Sequence, residues 1–217
     1  MRGERRARSP QESAEAEVRL SDHVLDLVGD LPRGRVAAYV AMDGEPPTDR
    51  LRQQLTAAGY EVLIPRVHGH ELQWAVDNDS TQWAVNSFGT REPISGFIDD
   101  PLGECVAIIL PAHAVDQHGM RLGQGKGFYD RALEFTRTHA HPPLLISLTF
   151  DSEYLESVPH EPHDIPVDVS VTESAVRWFT TPDELRGTSV SVSTVVSFTA
   201  VVENGQANCS PLCHASI

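Results

Sequence analysis

Cations are scarce in this chain. Lys and Arg number 17 among 217 residues, against 31 Asp and Glu, for a formal net charge of −14. A phosphate backbone gripped over a broad surface needs Lys and Arg patches, so no nucleic-acid partner is expected. A small anionic ligand is still compatible, because a local pocket can oppose the global sign. Long apolar runs are missing too: none reaches bilayer-spanning length, and no membrane partner is expected. Met1–Arg8 is basic, but Ser9, Gln11, Glu12 and Glu15 follow where a secretory signal would place its apolar segment. Cysteine is limited to Cys105, Cys209 and Cys213. An odd count without framework spacing reads as reduced thiols and a cytoplasmic setting. What is present is globular in composition, 40% hydrophobic and 22% charged, in a length suited to one domain or one domain with tails.

Apolar residues recur at helical spacing from Glu12 to Leu31, and Pro32-Arg-Gly34 breaks the pattern. Arg35–Val40 reads as a buried strand. Thr48 is suited to cap a helix over Asp49–Ala58 that Gly59 closes, and Tyr60–Pro65 reads as a second strand. This strand–helix–strand run predicts a parallel pair. Glu71–Val76 and the Trp83–Phe88 region suit a small antiparallel addition. Cys105–Leu110 is the most apolar stretch and is expected as a central strand with a buried thiol. Phe128–Thr138 reads as helix, Pro143–Phe150 as strand, Ser157–Val167 as loop, and Val167–Glu173 as the last strand. Residues 181–217 change character. The Ser, Thr and Val run of Ser189–Val202 suits either appended edge strands or a poorly ordered extension, and the second is favoured.

Between the central strand and the helix lies Asp116-Gln-His-Gly-Met-Arg-Leu-Gly-Gln-Gly-Lys-Gly-Phe-Tyr-Asp130. Gly123, Gly125 and Gly127 alternate, which lets backbone N–H groups turn inward toward a ligand. Arg121 and Lys126 add cations, and a helix start adds a positive dipole end. Together these suit phosphates. The two common templates fail: Met120 and Gly127 break the G-x-x-x-x-G-K-[ST] loop, and Phe128 and Asp130 break the dinucleotide fingerprint. A plain flexible glycine loop is the alternative. Asp130 and Asp164 could hold Mg²⁺, which takes one or two carboxylates plus phosphate oxygens and water. Each alone is equally a helix-start or a turn carboxylate.

The run Arg-Leu-Gly-x-Gly-x-Gly-Phe-Tyr-Asp, preceded by Leu-Pro-x-x-Ala-x-Asp-x-x-Gly, resembles the signature of the 5-formyltetrahydrofolate cyclo-ligase family. Glu45-x-x-Thr48, Val62-Leu-Ile-Pro65, Glu92-Pro93 and Glu161-Pro-His-Asp164-Ile-Pro are similar to further family segments, so the resemblance covers about residues 12–173. It implies a three-layer α/β sandwich around a mixed, largely parallel sheet. It also implies ATP- and Mg²⁺-dependent conversion of 5-formyltetrahydrofolate to 5,10-methenyltetrahydrofolate by a cytoplasmic enzyme, with a monomer expected. By resemblance, Arg121, Leu122, Gly123, Gln124, Gly125, Lys126, Gly127, Phe128 and Tyr129 line the ATP phosphates. Arg121, Lys126 and Tyr129 serve catalysis, and Asp130 and Asp164 hold Mg²⁺. Val40, Glu45, Gln124, Gly125, Lys126, Gly127 and Phe128 contact the folate.

On this reading residues 1–180 form the domain, without the Lys-x-x-Leu-Arg helix usual ahead of Arg5-Arg6-Ala-Arg-Ser-Pro10. Little effect on ATP binding is expected from Arg5→Ala or Arg6→Ala. The competing readings are a weakened folate- or nucleotide-binding homologue and an unrelated kinase. Lys126, Asp130 and Asp164 favour the active enzyme over the first, and the failed nucleotide templates count against the second. The histidine pairs 68/70, 139/141 and 160/163 lack completing ligands and read as solvated, and Cys209-x-x-x-Cys213-His214 is a weak zinc candidate. Trp74, Trp83 and Trp178 read as packing residues.

Overall fold

A computed structural model describes residues 2–86, 89–99 and 101–180. The expected extension over 181–217, with Ser189–Val202, Cys209, Cys213 and His214, lies outside the described residues. In chain order the elements are α1 (Arg2–Ala7), α2 (Pro10–Gly29), β1 (Arg35–Ala37), α3 (Asp49–Ala57), β2 (Glu61–His68), β3 (Glu71–Val76), β4 (Trp83–Val85), β5 (Arg91–Pro93), β6 (Phe97–Ile98), β7 (Cys105–Pro111), β8 (Ala114–Asp116), β9 (Arg121–Leu122), α4 (Phe128–Leu133), β10 (Leu144–Leu148), β11 (Tyr154–Leu155), β12 (Val169–Val171) and β13 (Val176–Trp178).

Local chemistry sets the boundaries. Ser9 and Glu12 form a capping box, with Ser9 N–H donating to Glu12 Oε2 at 2.7 Å and Glu12 N–H to Ser9 Oγ at 3.2 Å. Pro10 adds a preset φ, so α2 starts two residues ahead of the periodicity signal. Thr48 does not cap α3 through its side chain. It is fully buried, and its Oγ1 donates to the Tyr39 carbonyl at 2.7 Å, where no water can satisfy that oxygen. Gly59, at φ 88°, closes α3 as expected. The helix expected to Thr138 ends at Leu133 and continues as a 3-10 turn over Glu134–Arg137.

The main sheet has eight strands in the order β13-β12-β10-β7-β1-β2-β3-β6. Its five inner strands, β12 to β2, are parallel; β13 and β3 run antiparallel to them, and β6 pairs antiparallel with β3. Side chains alternate between two cores. Val36, Val62, Ile109 and Ile146 meet Leu20 and Val24 of α2 and Leu51 and Leu55 of α3. Ala37, Leu63, Ile108 and Leu145 meet Leu133 of α4. Both faces are covered, as continuous apolar parallel strands require, and the three-layer α/β arrangement stands. Cys105 is buried as expected, and burial pushes its thiol up to about 12, which leaves it unreactive. Trp74 packs in the core; Trp178, by contrast, is 37% exposed on edge strand β13. Among the described residues no helix is long and apolar enough to cross a membrane.

Candidate active site

In an open parallel sheet, ligands bind beyond the carboxyl ends of the strands, where successive connections leave in opposite directions. Here that point lies between neighbours β1 and β7. The chain leaves β1 toward β2 on one side, and returns through β7 on the other. A cleft of about 550 Å³ opens there, a volume within the usual range for small-molecule sites. Its walls are the segment after β1 (Val40, Met42, Glu45), the end of β7 (Pro111, Ala112, His113), the glycine segment 121–130 and the late acidic loop 159–164. All nine residues assigned to the phosphates line it, as do Val40, Glu45, Asp130 and Asp164.

The glycine segment is built in three pieces. Arg121 and Leu122 form β9, held against β8 by antiparallel pairing. Gly125 and Gly127 take φ of 76° and 63°, the left-handed region that L side chains disfavour, and this turns the chain into the short helix α4. Arg131 then staples the loop. Its Nη2 donates to the Lys126 carbonyl at 3.0 Å and to the His70 carbonyl at 2.8 Å, tying the loop to the β2–β3 turn.

Arg121 is buried, and its Nη2 donates to Asp130 Oδ1 in an ion pair. Its Nε–H is buried with no partner among the described residues, so one strong donor is left over beside the loop. Asp130 and Asp164 retain 21% and 24% side-chain exposure on the cleft wall. Asp164 Oδ2 accepts the Glu161 N–H at 2.7 Å, and its Oδ1 lies 3.8 Å from His163 Nε2. Among the described residues no cluster of three His, Cys, Asp or Glu exists to cage an ion unaided. Two carboxylates beside a phosphate-suited loop fit Mg²⁺, which draws its other ligands from phosphate and water.

Glu45 closes the site from the opposite side. Its Oε1 accepts a hydrogen bond from Gln124 Nε2 at 3.3 Å and its Oε2 accepts the Met42 N–H at 2.9 Å. Burial raises its carboxyl above the ordinary carboxylate range, and the Met42 hydrogen bond and Arg5 oppose that rise. Tyr129 is half-buried on the cleft wall. It packs edge-on against Trp74 with centroids 6.4 Å apart, and burial raises its hydroxyl. Phe128 lies under the Arg131 guanidinium, 5.4 Å from its centroid.

Arg5 stands behind the Glu45 wall. Its Nε and Nη2 donate to Glu153 at 2.5 and 2.8 Å, and Nη2 also donates to the Ala112 carbonyl at 2.6 Å. The Glu153 carboxylate in turn accepts the Phe150 N–H at 3.0 Å. Sequence reading missed this pair, the Arg131 staple and the cleft positions of Thr90, Arg91 and His113. Partners over a hundred residues apart leave no local pattern. The histidines of the three pairs are exposed, as expected.

A profile of the 5-formyltetrahydrofolate cyclo-ligase family matches residues 1–173, reaching further toward the N-terminus than the motif resemblance. The chain is 37% identical over 137 residues to a 5-formyltetrahydrofolate cyclo-ligase of Mycolicibacterium smegmatis, covering 60% of this chain and 69% of that one. It is 30% identical over 180 residues to the Escherichia coli cyclo-ligase, covering 81% of this chain and 98% of the relative. The solution structure of Aquifex aeolicus 5,10-methenyltetrahydrofolate synthetase superposes with a TM-score of 0.64 at 30% identity, covering 82% of this chain and 89% of that one.

Proposed function

The chain belongs to the 5-formyltetrahydrofolate cyclo-ligase family, and we propose that its cleft converts 5-formyltetrahydrofolate to 5,10-methenyltetrahydrofolate at the expense of ATP. The observation that supports this best is the Gln124–Glu45 hydrogen bond at 3.3 Å. It joins the glycine loop, suited to a triphosphate, to the carboxylate suited to a pterin, so the two substrates meet in one cavity.

The chemistry needs no protein nucleophile. A formyl oxygen on N5 has amide character and cannot leave as oxide. Transfer of the γ-phosphoryl to that oxygen turns it into a leaving group. N10 then attacks the formyl carbon, the C–O bond breaks, and phosphate departs as the five-membered ring closes, taking up the proton that N10 loses. Such transfer is served by alignment and neutralisation of charge. The loop N–H groups, the Lys126 ammonium and the Arg121 Nε–H cradle the phosphates. Glu45, ionised, accepts hydrogen bonds from the amino-pyrimidine edge of the pterin. Phe128 packs beside the flat ring. Asp130 and Asp164 would hold Mg²⁺, which neutralises triphosphate charge when bound.

Methenyl product absorbance after mixing pure protein, 5-formyltetrahydrofolate and MgATP tests the proposal. Product should form only with ATP, should stop with EDTA and should return with excess Mg²⁺. Undiminished turnover in EDTA would remove the metal role. Tight folate binding with no product would establish the binding-protein reading instead.

A further inference from the structure

A second cavity of about 550 Å³ adjoins the cleft. The two share Val40, Met42, Glu45, Thr90 and Arg91, so these residues stand at the junction. Four arginines line the second cavity, but three are already neutralised. Arg5 pairs with Glu153, Arg8 with Glu173, and Arg52 with Asp49 and Asp77. Arg91 differs: among the described residues it makes no ion pair, and its guanidinium lies over the Trp83 ring, 4.6 Å from the centroid. β4–β5 pairing holds it there, because Trp83 opposes Pro93 and Val85 opposes Arg91. Its neighbour Glu92 is engaged by Asn86 Nδ2 at 3.1 Å. A guanidinium stacked on indole keeps its edge N–H groups in plane and open to a carboxylate.

The cleft's other cations are committed. Arg121 is bound to Asp130, and Lys126 sits within the glycine loop. Resting on the cyclo-ligase reading, the substrate has two chemically distinct ends. The pterin edge is donor-rich and matches Glu45. The opposite end is an aminobenzoyl group carrying a glutamate, with two carboxylates at neutral pH. In a cleft whose walls also hold Glu45, Glu92, Glu161 and Asp164, that dianion needs a cation not used by phosphate. We propose that Arg91, on its Trp83 platform at the cavity junction, recognises the carboxylate tail of the folate substrate and sets the preference for the glutamylated ligand.

Binding is compared for 5-formyltetrahydrofolate, for 5-formyltetrahydropteroate, which lacks the glutamate, and for ATP, by calorimetry on the full chain. The wild type should prefer the glutamylated ligand. Arg91→Ala should weaken that ligand about tenfold, as loss of a charge-assisted hydrogen bond at a partly hydrated site does. The same change should leave the pteroate analogue and ATP within about twofold, since the removed contact is absent from both. Arg91→Lys should retain part of the preference, because charge survives and the planar fork does not. Equal losses for both folate ligands, a loss confined to ATP, or no loss at all would each overturn the assignment. If the wild type binds neither folate ligand, the cyclo-ligase reading itself fails. If it binds both and Arg91→Ala changes nothing, only the tail assignment falls.

Discussion

Arg5→Ala should unfold this protein far more easily than a change at a terminal helix would suggest. Arg5 is 7% exposed and Glu153 is 1% exposed. The guanidinium meets the carboxylate through two hydrogen bonds of 2.5 and 2.8 Å, and reaches the Ala112 carbonyl with a third. Truncation leaves a buried carboxylate that, among the described residues, keeps the Phe150 N–H as its hydrogen-bond donor. Breaking one side of a buried pair costs about 3–5 kcal/mol, because the remaining charge keeps its desolvation penalty. At roughly 2–4 °C per kcal/mol for a domain of this size, the melting temperature should fall by about 10 °C. Urea titration of the wild type, Arg5→Leu, Glu153→Leu and the double variant measures the coupling directly. The double variant should be more stable than the two single losses summed, since no charge is stranded. If Arg5→Ala sits within about 0.5 kcal/mol of wild type, the pair carries no net stability and α1 is not anchored by it. Arg5 reads as one cation in a basic stretch until the fold brings Glu153 beneath it, and this stability role is separate from the expectation of little effect on ATP binding.

Glu45→Gln should weaken 5-formyltetrahydrofolate by about 1.5–3 kcal/mol in calorimetry, with ATP affected less, as expected for one charge-assisted hydrogen bond. Burial raises the Glu45 carboxyl in the folded state, so the folded protein holds an extra proton between the unfolded and folded pKa values, and the contribution of Glu45 to stability falls as pH rises through that window. Folate affinity should rise over the same window as the carboxylate ionises, and both dependences should flatten in Glu45→Gln. Asp130→Asn should lower turnover and Mg²⁺ dependence sharply while the protein stays folded, because the amide oxygen can still accept from Arg121; wild-type turnover with unaltered Mg²⁺ response would refute the assignment. Lys126 is the sole lysine of the chain, so an amine-reactive label marks it and the N-terminus only, and MgATP should suppress its mass shift while leaving the N-terminal label.

The parallel core was legible because its signals are local. Uninterrupted β-branched and aliphatic runs at Cys105–Pro111 and Leu144–Leu148 announce strands covered on both faces, and the structure buries them at the sheet centre. The start of α2 was missed by two residues because the capping box sits ahead of the apolar repeat. Thr48 was misread for a different reason. A hydroxyl ahead of a helix can serve N–H groups or a distant carbonyl, and only the path of the chain past Tyr39 decides between them.

The site divides along the same line. The glycine loop could be read because the phosphate-binding property lives in consecutive backbone groups, and alternating glycines are its direct cause. The Glu45 position carried almost no signal of its own; a carboxylate in an Asp-Gly-Glu-Pro-Pro turn is ordinary at a surface. It gains meaning from Gln124, 79 residues later, and from Arg5 behind it. Those contacts exist because β1 and β7 are neighbours in the sheet, which places the segments following them side by side. The sheet order therefore does more than hold the core: it brings a phosphate-suited loop and a pterin-suited carboxylate, each unremarkable alone, within one hydrogen bond of each other.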